Sequence, residues 1–146
     1  MAYSTASDIT ARYDNEIIKD VSDNKSTGTI NTTLLDVLIA DADSLIDTYL
    51  LQAFDVPLTT VPTIIKLCSV DIALYKLYRN RYDDKIPKDI ISRYEEAIKF
   101  LERAVEFALK KGVSLLSGVS IKSNFTPKVL TSTVEQVFSP TVMEQY

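Results

Sequence analysis

Histidine and tryptophan are absent from this chain, cysteine occurs once and glycine three times. Without histidine there is no ordinary general base near neutral pH, no imidazole to ligate a metal, and no Ser-His or Cys-His pair. Gly28, Gly112 and Gly118 are too scattered to build a loop that cradles phosphate. The lone Cys68 has no partner for an internal disulfide; set among Leu67, Val70 and Ile72, it reads as a buried thiol in a protein compatible with a reducing compartment. No apolar run approaches the roughly twenty residues of a membrane span. The opening MAYSTASD lacks the basic and apolar regions of a signal peptide, so the expectation is a soluble protein made in the cytoplasm, with no membrane partner. Positive charge is also in short supply: 16 basic residues face 20 acidic ones, for a net charge of −4. Such a surface is not suited to gripping nucleic-acid phosphates.

What remains is the composition of one folded, helix-rich domain. At 146 residues, 46% hydrophobic and 25% charged, the chain buries a real core but does not divide into two substantial domains. Thr5 or Ser7 caps a first short helix near Asp8 and Ile9, and a second short turn covers Glu16 to Val21. SDNKSTGTINTT then reads as a surface loop ending in an N-cap at Asn31 or Thr32. From Thr33 to about Phe54 the residues Leu34, Leu35, Leu38, Ile39, Ala42, Leu45, Ile46, Tyr49 and Leu50 share a broad helical arc. Asp36, Asp43 and Asp47 share the other side, as a solvated face or one set against something that benefits from their sign.

Pro57 and Pro62 stiffen the loop that follows, and Pro62 opens the next helix, from about Thr63 to Tyr82. That helix is apolar almost all round, which makes it either the central one or one covered by another subunit; Leu74 and Leu77 are its candidate interface residues. Asp71 lies near Tyr75 and Tyr78, where a lone carboxylate is costly, and a hydrogen bond to tyrosine or arginine is the expected remedy. Pro87 opens a last long helix to Lys111, with Gly112 in the C-cap position and Glu95–Lys99 and Glu106–Lys110 as four-residue ion pairs. After Gly112 the helical period is lost. Residues 113–146, rich in Val, Ser and Thr, read as an extended arm, or as a β-hairpin pairing Val119–Lys122 with Val129–Val134. Val129, Val137, Phe138, Val142, Met143 and Tyr146 on that arm need a cover, and a neighbouring subunit supplies one. The expected fold is therefore mainly α: a small bundle of three long helices with short N-terminal helices over 1–112, and the arm over 113–146.

Chemistry gains little from this pattern. Asp41, Asp43 and Asp47 offer carboxylates to a cation, but a rigid helix does not wrap an ion as a calcium loop does. Carboxylate-only catalysis needs two acids converging in an apolar cleft, and no spacing points to one. The expectation is a non-enzyme without cofactor: an assembly part, or a small helical binding or regulatory module acting through its apolar helix.

The segment ADADSLIDTYL, followed by VPL, VP and DIALYKLYR, resembles the small head-tail connector, or head-completion, proteins of Mu-like tailed bacteriophages. YSTASDITARY and RYEEAIKFLERA support the resemblance, which runs from about Tyr3 to Gly112. It departs from the family at Ala53, beside Phe54, where many members carry a basic residue. The resemblance implies a helical adaptor in the virion, forming a ring of about twelve copies through a heterologous, closing interface. Its implied partners are further copies of itself, the portal protein and tail or tail-completion proteins, with DNA passing through and not specifically bound. On that reading Asp36, Asp43 and Asp47 line the channel, and the apolar residues of the arm and of the second long helix meet the neighbour or the portal.

Overall fold

The computed structural model describes residues 2–123. Five helices follow in order: α1 Ala6–Thr10, α2 Asn15–Ser22, α3 Thr32–Leu50, α4 Thr63–Arg81 and α5 Lys88–Lys111. Their starts follow from local chemistry. Thr5 forms a capping box with Asp8: its hydroxyl accepts from the Asp8 N–H at 3.3 Å while Asp8 Oδ2 accepts from the Thr5 N–H at 2.8 Å. Asn31 caps α3 by accepting from the Leu34 N–H at 3.0 Å. Pro62 and Pro87 stand one residue ahead of α4 and α5, each in extended backbone and without a side-chain cap. Gly112 ends α5 in the left-handed region at φ 62°, a conformation that costs glycine little and donates its N–H back to the Ala108 carbonyl.

The core forms around α4. Its packing is most extensive against α3 and α5, while α2 lies on α4 and α1 on both α3 and α4. Ile65, Cys68, Ser69, Val70, Ile72, Ala73, Leu74 and Leu77 are all buried, which explains why no polar face is visible in its sequence. Leu74 and Leu77, expected at a subunit interface, are 1% and 0% exposed. They belong to the interior of this chain, because α4 is covered by its own neighbours and needs no second subunit. Burial of each contributes about 1.5–3 kcal/mol. Cys68 is buried as expected, and desolvation pushes its thiol up to about 12. Tyr75 stacks on Tyr94 across the α4–α5 seam at a centroid distance of 4.1 Å. Along α5, Glu106 pairs with Lys110; Glu95–Lys99 is not among the ion pairs formed by the described residues.

Two features differ from the sequence expectation. The first long helix ends at Leu50, short of Phe54, where a turn buries Ala53 and Phe54 completely. The stretch just after Gly112 folds back onto the helical body. Leu116 is buried, Ile121 makes an isolated antiparallel bridge with Phe54, and the Lys122 N–H donates to the Ala53 carbonyl at 3.0 Å. Residues 113–122 thus cover the end of α3 as part of the helical body, because Phe54 and Ile121 hide each other's apolar surface. The proposed partner strand, Val129–Val134, lies outside the described residues.

Candidate functional site

The densest buried polar cluster ties the N-terminal segment to α3 and α4. Asp43 Oδ2 accepts from the Tyr3 N–H at 2.9 Å, and its Oδ1 accepts from the Ser69 hydroxyl at 2.7 Å. Ser69 and Ser4 share a further hydrogen bond at 2.7 Å. The Tyr3 hydroxyl donates to Asp47 Oδ1 and accepts from the Leu58 N–H at 2.9 Å, bringing the proline loop into the same network. Every buried side-chain nitrogen and oxygen among the described residues has a partner. Tyr3 is held in its neutral form, chiefly by burial and then by Asp47. Burial likewise raises the Asp43 carboxyl above the ordinary carboxylate range, against the opposing pull of Ser69 and the Tyr3 N–H.

The acidic row is therefore not uniform. Asp36 is exposed, Asp47 is half-buried and Asp43 is buried. As a channel-facing residue Asp43 is a correction: it follows Ile39 by four residues and precedes Ile46 by three, the spacing of the buried face. Its carboxylate is spent on hydrogen bonds from the Tyr3 N–H of the N-terminal segment and from the Ser69 hydroxyl of α4. Asp36, Asp43 and Asp47 line an open groove of about 500 Å3 beside Ser4 and Pro57. No group of three or more His, Cys, Asp or Glu side chains among the described residues is arranged to hold a metal ion.

A second network joins α4 to α5. The Tyr13 hydroxyl donates to Asp71 Oδ1 at 3.2 Å and accepts from the Arg93 guanidinium at 2.6 Å, while Arg93 also lies 5.4 Å from the Tyr13 ring centre. Asp71 thus has the tyrosine partner its apolar setting required; burial still raises its carboxyl.

The third feature is apolar. Leu51 follows α3, and Val113 and Leu115 follow α5; all three are exposed. Between these helix ends a groove of about 460 Å3 runs past Tyr49 and Gln52 on one side and Glu102, Val105 and Leu109 on the other. Of the expected interface residues, Val129, Val137, Phe138, Val142, Met143 and Tyr146 lie outside the described residues. Leu51 and Leu115 were not foreseen there; their positions just past two apolar helices were the available signal. No helix among the described residues is long and apolar enough to cross a membrane.

Together these features define a class: a mainly helical protein, with five helices among the described residues, whose interior polar groups fasten its own N-terminal segment across two core helices. The chain belongs to the bacteriophage Mu Gp36 family, whose model matches residues 3–115. It is similar to the Mu-like prophage FluMu protein gp36 of Haemophilus influenzae, at 28% identity over 112 residues and 77% of each chain. It is also similar to Gene product J of Escherichia phage Mu, at 26% identity over 121 residues, covering 82% of this chain and 83% of that protein.

Proposed function

We propose that this chain is a structural, non-enzymatic part of a Mu-like phage particle: a head-tail connector subunit that closes into a ring between portal and tail. Its work is geometric, extending the DNA channel and presenting a surface on which the tail docks. The observation that carries the reading is that apolar side chains just past the ends of α3 and α5, Leu51, Val113 and Leu115, stand exposed in a member of a phage protein family. The apolar residues of 131–146, outside the described residues, are the further contacts this reading assigns to an adjacent subunit or the portal.

Asp36, exposed on α3, is the acid best placed to face a channel, with the half-buried Asp47 about three turns further along the same helix. Negative charge there keeps passing DNA from sticking. The test is location in the particle. Removing residues 131–146 leaves the described body intact and is expected to give a folded chain missing from purified virions, whereas the full chain is imaged at the portal-tail axis. Normal incorporation of the shortened chain defeats the arm's role, and a full chain that never co-purifies with virions points instead to a helical regulatory module.

A further inference from the structure

We infer that the loop between α3 and α4, residues 51–62, is a shared seat that couples the N-terminal segment to residues 113–122, so that loosening either segment loosens the other while the three long helices stay packed. The inference concerns a single copy of the chain and does not depend on the connector reading. It stands on where the two segments meet the loop.

On the N-terminal side the contact is one side chain. Tyr3 is 2% exposed, and its hydroxyl accepts from the Leu58 N–H at 2.9 Å while donating to Asp47 on α3. Among the described residues, that bond from Leu58 is the only hydrogen bond made by residues 55–61. Leu58 is itself buried, and a buried N–H that loses its acceptor favours an opened loop in which water replaces it. The conformation of the loop therefore hangs on a phenol supplied from outside it.

On the other side the same loop carries residues 113–122. Phe54 bridges to Ile121, and Lys122 is held twice, its N–H on the Ala53 carbonyl at 3.0 Å and its Nζ on the Leu51 carbonyl at 2.6 Å. Further along, Thr60 lies against Gly118, with its Cγ2 3.6 Å from the point that a Cβ on Gly118 would occupy. A loop that shifts when Tyr3 leaves carries these contacts with it, and whatever takes hold of Tyr3 is felt at Lys122. Linkage makes the effect reciprocal. The α4–α5 packing does not pass through the loop, so the loop and its two guests open below the free energy of the whole body.

The experiment is amide hydrogen exchange on the full chain and two variants. Tyr3→Phe keeps the ring and removes the hydroxyl. It is expected to speed exchange by about ten-fold at Leu58 and by several-fold at Lys122, with Leu101 and Ala104 in α5 at the parent rate. Ile121→Ala, made at the other end of the relay, is expected to speed exchange at Leu58 and Tyr3. Faster exchange at Leu58 with Lys122 unmoved overturns the coupling, as does an Ile121→Ala chain whose Leu58 and Tyr3 amides keep the parent rate. A uniform rise that includes Leu101 and Ala104 overturns it too, because the two segments then open only with the whole body. If Tyr3→Phe does not fold, Ile121→Ala alone decides.

Discussion

At the scale of single residues, Asp43 is the side chain on which most depends. It accepts two buried hydrogen bonds, from the Tyr3 N–H and the Ser69 hydroxyl. Asp43→Ala leaves those donors without an acceptor and is expected to cost about 2–4 kcal/mol in urea unfolding. Asp43→Asn should cost under about 1 kcal/mol: its oxygen takes the Tyr3 N–H, its amide donates to Ser69, and Ser69 turns its proton to Ser4. The two variants also differ with pH. Because burial raises the Asp43 carboxyl in the folded state, its contribution is full in acid, below the unfolded value, and lost as pH rises through the raised one. Asn is therefore expected to compare best with Asp at neutral pH, a trend that unfolding curves across pH 3–8 would reveal or refute. Asp43 was legible as helical and misread as wet. The Ile39–Asp43–Ile46 spacing placed it at the buried face, but its partners lie 40 and 26 residues away, beyond any local pattern.

At the scale of elements, periodicity and caps carry most of the information. Thr5, Asn31 and Gly112 end or begin helices where their chemistry requires, and α5 runs nearly as its three-and-four spacing predicts. The end of α3 was less legible. Leu51 to Phe54 continue the apolar pattern, and what stops the helix is a pairing with Ile121, which no window of local sequence contains. The loop between α2 and α3 is organised by one carboxylate. Asp23 accepts from the Thr27 N–H at 2.9 Å, the Gly28 N–H at 2.6 Å and the Lys25 N–H at 3.2 Å. These donors, Thr27 foremost, hold its carboxyl below the ordinary range. A lowered value means that this contribution is present above the unfolded pKa of about 3.9 and disappears as pH falls through the folded one. Asp23→Ala should speed amide exchange at Thr27 and Gly28 several-fold at pH 6. An undiminished difference from the parent chain at strongly acidic pH would refute the carboxylate's role.

At the scale of the whole molecule, the distinction is between apolar residues that hold the chain together and those left for something else. Sequence alone assigned Leu74 and Leu77 to the second group because α4 shows no polar face; a helix at the centre of a bundle looks the same as one at an interface until its neighbours are placed. The exposed Leu51 and Leu115 offer the sharper test. Leu51→Asp with Leu115→Asp is expected to leave unfolding free energy within about 0.5 kcal/mol of the parent, as surface changes do, while abolishing incorporation into particles. A large loss of stability, or undisturbed incorporation, would contradict the division drawn here.

The burial of Cys68 gives the parent chain a useful silence. With the residue 3% exposed and burial pushing its thiol up to about 12, the native cysteine is a poor target for maleimide dyes, which attack the ionised form. One cysteine introduced on the outer surface therefore becomes the sole handle for a fluorophore, without first stripping the native thiol from the interior. Energy transfer between labelled copies can then follow their association in real time.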